Sequence, residues 1–181
     1  MFFFTDSFPE KGEGDLHVNV DSSFRNKADL IDYMEKETSS PYHDGDNWDG
    51  FFDSITEMSW FDSINNFYIL HESLPQIEQI HIYLDILNLA DVWWEIYPEN
   101  VKIKNESLKD PSNMQRRIGS FVQFCGMEAS QVPLDEHVIV KNFNVYFKKK
   151  DEDFVRNSLE KYSKDYRRRL FYDKRGLIQI G

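Results

Sequence analysis

Between Lys36 and Lys102 the chain carries no lysine and no arginine. Helices in that stretch cannot use the Glu–Lys ladders that support many solvent-facing helices. Their stability must come from apolar faces buried against other elements. The stretch supplies such faces in Trp48, Phe51 and Ile55, in Phe67–Leu70, and in Ile77, Ile80, Leu84 and Leu87. The same one-sidedness divides the whole chain. Residues 1–100 hold 21 acids against 4 bases, a net of −17, and residues 101–181 hold 11 against 17, a net of +6. Halves of opposite sign suggest two modules or two faces with different work, the plainer reading being that they attract each other. With 181 residues, 40% hydrophobic and 15% aromatic, the chain can bury a sizeable core. A total charge of −11 argues against a protein that coats nucleic acid or anionic membrane.

Cys125 is the single cysteine, so no internal disulfide can form and nothing points to an oxidising compartment. The start, Met1-Phe2-Phe3-Phe4, turns acidic at Asp6 and Glu10 and lacks the positive region of a signal peptide. No stretch approaches the roughly 20 apolar residues of a membrane span. The expectation is a cytoplasmic protein without membrane attachment.

Aromatics mixed with Pro9, Gly12 and Gly14 predict a loose arm over residues 1–15. Alternation over Leu16–Val20 predicts a strand. Asn26, with Asp29 three residues on, predicts a helix N-cap, and Leu30, Ile31 and Met34 share one face of a helix reaching about Glu37. Thr38-Ser39-Ser40-Pro41 ends it. A second helix is expected from about Asn47 to Ser59, and a strand within Ile64–Leu70. A third helix is expected with Pro75 in its first turn. Val101–Ile103 reads as a short closing strand. Further on, Arg116–Met127 suggests a short helix, Val138–Val140 and Phe143–Phe147 strands, Phe154–Leu170 a long helix and Leu177–Ile180 a last strand.

The second helix is the informative place. Asp46, Asp49, Asp53 and Glu57 step by three, four and four, and so fall within roughly an 80° arc. Trp48, Phe51 and Ile55 fall on the opposite side, with Phe52 at the edge nearest Asp49 and Asp53. Like charges at i,i+4 cost about a few tenths of a kcal/mol per pair. Only the first turn recovers some of this from the helix dipole. A solvated acidic face is the plain reading; a ridge matched to a cationic partner is the functional one. A calcium loop starting at Asp44 fails, because its sixth position is Asp49 and its twelfth is Ile55.

The segment Pro41-Tyr42-His43-Asp44-Gly45-Asp46-Asn47-Trp48-Asp49-Gly50-Phe51-Phe52-Asp53-Ser54-Ile55 resembles the central motif of the barstar family, intracellular inhibitors of the ribonuclease barnase. Gly45, Asp46, Asn47, Asp49, Phe52 and Asp53 are in register with that motif, and the resemblance covers about residues 16–104. It implies an α/β fold, a small parallel sheet packed by helices, with an additional α+β extension over 105–181. It implies no catalytic residue and no cofactor, and the residues give no metal site. The partner implied is a cognate cationic ribonuclease toxin, held by Tyr42, His43, Asp44, Asp46, Asn47, Asp49, Phe52, Asp53 and Glu57. Asp49 and Asp53 would enter phosphate subsites, Phe52 would pack beside them, and the 42–44 loop would cover the catalytic base. A monomer is expected.

The motif departs from the family at three points. His43 and Asp44 stand where aromatics are frequent. Leu89 stands where the family has a glutamate on its last helix, so that role passes to Asp85 or Asp91 or is lost. The stretch before the last helix is short, leaving little room for a small helix of the family.

Other chemistry is sparse. His17, His43, His71, His81 and His137 show no zinc spacing, and no phosphate-binding glycine loop occurs. The clusters Lys148-Lys149-Lys150 and Lys164, Arg167, Arg168 and Arg169 support an alternative, an RNA-binding or regulatory module using the basic C-terminal helix. A third reading is an acidic adaptor for basic proteins. The sequence leaves open whether 105–181 forms a small domain or adds strands to the first sheet.

Overall fold

The structure is a computed structural model that describes residues 2–41, 47–56, 58, 64–109 and 142–162, giving the backbone alone for 96–109 and 162. Its elements are β1 (Phe2–Thr5), β2 (Asp15–Val20), α1 (Lys27–Glu37), α2 (Trp48–Thr56), β3 (Asn66–His71), α3 (Ile80–Lys109), β4 (Asn142–Lys148), a 3-10 turn (Lys149–Asp151) and α4 (Glu152–Tyr162). The chain divides into two compact units. Residues 1–94 and 141–164 form the first; of the second, 95–140 with 165–181, only the stretch of α3 from Glu95 is described.

A four-stranded, all-parallel sheet in the order β1-β4-β3-β2 organises the first unit. Paired positions put Val18 and Val20, Phe67 and Ile69, Val145 and Phe147 on one face, with Phe2 and Phe4 packed against Phe147. All of these except Phe2 and Phe4 are buried. Val20, His71 and Phe147 align in register. The other face carries a row of rings, one from each strand. Phe3 stacks on Tyr146 at 4.6 Å, Tyr146 lies 6.0 Å from Tyr68, and Tyr68 lies 4.7 Å from His17.

Parallel neighbours need crossovers, and these are right-handed as a rule. The steps β2→β3 and β3→β4 run in one direction across the sheet, which places their helices on one face. Tyr83 of α3 reaches His71 on that face, and Arg156 of α4 lies over Phe4 there. The step β1→β2 runs the opposite way, so its connection, residues 6–14, belongs on the other face. Phe8 is indeed set edge-on to Tyr146 at 6.4 Å.

Local signals explain α1. Asn26 Oδ1 accepts from Asp29 N at 2.9 Å, and Asn26 Nδ2 donates to Asp29 Oδ2 at 2.7 Å. At the other end Ser39 N donates to Lys36 O and Ser40 N to Glu35 O, with Ser39 at φ 46°. This is the paired closure of a helix C-terminus, made here without the glycine that usually takes the left-handed position.

Three expectations are corrected. The expected loose arm contains a strand, Phe2–Thr5, because β4 offers it an edge and a row of rings. The third helix begins at Ile80 instead of near Pro75. Gln76 N is taken by Phe24 O, and Gln79 O is the first acceptor of the helix, from Ile82 and Tyr83. Val101–Ile103 is helical, within an α3 that runs through Pro98; three residues of alternation cannot separate strand from helix. The question left open for 105–181 is answered for Asn142–Lys148, which lies in the interior of the first sheet between β1 and β3. The elements expected over 116–127, 138–140 and 177–180, and the long helix beyond Tyr162, fall outside the described residues.

Candidate functional site

α2 is set by its two ends and its inner face. Asn47 caps it: Oδ1 accepts from Asp49 N at 3.1 Å, and its carbonyl accepts from Phe51 N at 3.0 Å. Trp48, Phe51 and Ile55 are 8%, 0% and 1% exposed, which is the inward face read from the spacing. Trp48 donates its indole N–H to Gln79 Oε1 at 2.7 Å and lies 6.3 Å from the Tyr83 ring. Phe51 lies 6.1 Å from the same ring. At the far end Trp94 donates its indole N–H to Ile55 O at 3.0 Å. Ser54 Oγ meets Ser40 Oγ at 3.2 Å, tying α2 to the residue that closes α1.

With the inward face held at both ends, the outward face is fixed. Asn47, Asp49 and Asp53 are exposed and Phe52 is half-buried. Asp49 and Asp53 lie one turn apart, about 6 Å along the axis. Asp49 is in the first turn, where the helix dipole favours a carboxylate. Asp53 is beyond that region. Asp49, Phe52 and Asp53 therefore share one outward strip, and Asn47 stands at the helix start. Tyr42, His43, Asp44, Asp46 and Glu57 fall outside the described residues.

The two candidates on α3 separate by helical period. Asp91 precedes Trp94 by three residues and lies about 60° from it, on the side of the bond to Ile55. Asp85 is nearly opposite. Leu89, between them on the same helix, is 7% exposed.

Sequence reasoning overlooked the residues that position α2. Gln79, Trp94 and Ser40 carry no motif, and the partners of Gln79 and Trp94 lie 31 and 39 residues away along the chain. An indole buried in a helix needs an acceptor, and that is the one signal that could have drawn attention to Trp48 and Trp94.

His71 likewise carries no motif in the sequence. It is fully buried, stacks on Phe147 at 4.2 Å, and has Nδ1 3.0 Å from Tyr146 O and Nε2 2.9 Å from Tyr83 Oη. A carbonyl only accepts, so Nδ1 carries the proton, Nε2 accepts, and Tyr83 donates. Desolvation pushes the imidazole pKa down to about 3, against a small opposing effect of the Tyr146 carbonyl. Burial likewise raises the Tyr83 phenol pKa. The group is a structural joint between α3, β3 and β4.

Among the described residues no group of His, Cys, Asp or Glu could hold a metal ion, and no helix is long and apolar enough to cross a membrane. Of the expected basic clusters, Lys148 is engaged by Glu72 at 3.0 Å. Lys149 and Lys150 are exposed, and Lys164 and Arg167–Arg169 fall outside the described residues.

A family model described as Barstar (barnase inhibitor) matches residues 16–106. No curated protein and no solved structure matches the chain. The matched span holds β2 from its second residue, α1, α2, β3 and most of α3, while β1 and β4 lie outside it.

Proposed function

The chain belongs to the barstar family, whose members are inhibitors rather than enzymes, and from that premise we propose that it is an intracellular inhibitor of a cationic bacterial ribonuclease toxin. The observation that carries this reading is the outward strip of α2. It offers Asp49 and Asp53 one turn apart, flanked by half-buried Phe52, on a helix anchored through Trp48, Ser54 and Ile55.

The mechanism is occlusion with charge matching. A ribonuclease cleft is lined by cations that hold RNA phosphates, and fixed carboxylates can occupy the same subsites without offering a bond to cleave. A helix held at both ends has little ordering cost left when it docks. Phe52 adds apolar contact between the two acids. Tyr42, His43 and Asp44 are assigned to the rim over the catalytic base. Asn47 keeps the helix start in place, and Asp46 and Glu57 are assigned further charge contacts to the cationic cleft. Asp91 is assigned the acidic role on α3 in preference to Asp85, from its side of that helix. We assign the complex one copy of each partner, in the cytoplasm.

Capture of partners from the native host, followed by a ribonuclease assay with and without the chain, tests the reading. If the partner charges are buried in the complex, Asp53→Ala should weaken it by about 3–5 kcal/mol. Asp49→Ala should weaken it in the same direction. Unchanged inhibition by the double variant, with its far-UV spectrum intact, would sink the proposed surface.

A further inference from the structure

Gln79 stands at the head of α3, where its carbonyl accepts from Ile82 N at 2.9 Å and from Tyr83 N at 3.2 Å. Its side chain is exposed, yet one end of it is fixed. Trp48 Nε1 lies 2.7 Å from Gln79 Oε1. An indole nitrogen only donates, so the amide oxygen must face Trp48 and the amide nitrogen must sit on the other side. Among the described residues Gln79 Nε2 has no hydrogen-bond partner. An exposed side chain thus carries two N–H donors in an orientation that a buried indole sets.

Successive residues of a helix are about 100° apart, so Trp48 lies about 40° from Phe52 and about 100° from Asp49. Trp48 therefore marks the border where the inward face of α2 meets the outward strip, and Gln79 flanks the strip along that border. Lys27 Nζ lies 5.7 Å from the centre of the same indole, a second donor at the border. The strip itself offers the acceptors of Asp49 and Asp53 and the apolar ring of Phe52. Acceptors with a fixed donor at one flank make an asymmetric surface. It matches a partner with cations in its cleft and an acceptor oxygen on the adjoining wall. Against a wall lined by cations alone, the Gln79 donor loses water and gains no partner.

Resting on the ribonuclease reading of α2, we propose that Gln79 is a contact and specificity-determining residue of the inhibitory surface, donating from Nε2 to a carbonyl or carboxylate oxygen on the wall of the toxin's cleft. Gln79→Glu tests this. A glutamate keeps an acceptor for the Trp48 indole and replaces the outward donor by an acceptor. It also adds a charge that by itself favours a cationic toxin. Assayed as the full chain against the captured toxin, Gln79→Glu should inhibit about tenfold less well while unfolding at the parent's denaturant midpoint. Inhibition equal to or tighter than the parent's overturns the proposal. Weaker inhibition with a lower midpoint overturns it too, since Gln79 would then act only by holding Trp48. The double variant Asp49→Ala, Asp53→Ala separates the two levels. If the double variant loses inhibition while Gln79→Glu keeps it, only the Gln79 contact is refuted. If the double variant inhibits like the parent, the surface and the Gln79 contact are refuted together.

Discussion

The sheet is crossed in two ways. On one face the connection from β2 to β3 contains α1 and α2, closed by capping groups and driven inward by Leu30, Ile31, Phe51 and Ile55, all at most 1% exposed. On the other face the connection from β1 to β2 contains no helix, and Phe8 with the Lys148 contacts seats it on the ring row. The first crossing can present side chains rigidly because its own core fixes it. The second borrows its position from the sheet. The acidic strip lies on the crossing that carries its own core, and this is where a preset spacing of carboxylates can be maintained.

The contrast can be broken most severely at Phe51. Phe51→Ala should cost about 3–5 kcal/mol in denaturant unfolding, the range for removing a fully buried aromatic side chain. A loss below about 1 kcal/mol, the scale of a surface change, would mean that α2 does not depend on its inward face.

The next effect is a pH dependence at the joint under α2. Unfolded chains bind a proton at His71 below about pH 6.5, whereas the folded group binds one only near its pKa of about 3. Between those values the unfolded state holds more protons, so acidification removes stability at up to about 1.4 kcal/mol per pH unit. That contribution is complete above the unfolded pKa and lost by the folded one. His71→Phe removes this dependence, so its stability should fall less steeply than that of the parent chain from pH 6.5 downwards. Parallel curves would disprove the assignment.

On the opposite face, Phe8→Ala should cost about 1–2 kcal/mol, because a half-buried ring loses one edge-on contact and one cation contact. A loss as large as that of Phe51→Ala would erase the distinction between the two crossings. The smallest change is at the end of α1. Ser39→Gly should raise stability by about 0.5–1 kcal/mol, since glycine takes a positive φ without the Cβ penalty. A decrease would show that the Ser39 side chain contributes more than its backbone costs.

Much of α1 and α2 was legible because their signals are local. Asn26 and Asp29 lie three residues apart, as do Trp48 and Phe51, so capping and facing follow from chain geometry alone. The acidic strip was legible for the same reason: once Trp48, Phe51 and Ile55 turn inward, Asp49 and Asp53 must turn outward. The start of α3 was not legible, because the carbonyl that engages Gln76 belongs to Phe24. Nor was Phe2–Thr5, whose run of aromatics has no periodicity and becomes a strand only against β4.

The sequence by itself determined the two faces of α2 and the charge those faces carry, properties of residues a few positions apart, while the parallel α/β scaffold followed from the resemblance to a family. Tertiary structure alone decided that Asn142–Lys148 enters the sheet between β1 and β3. It also decided that Asn66 bridges Asp15 at 2.6 Å and Asn142 at 2.8 Å to hold three strands in register, and that Lys148 closes on Glu72. Those partners lie 51 and 76 residues apart along the chain. Strand order is set by which edges and faces remain to be covered after the helices have packed, and no periodic pattern within a segment encodes that.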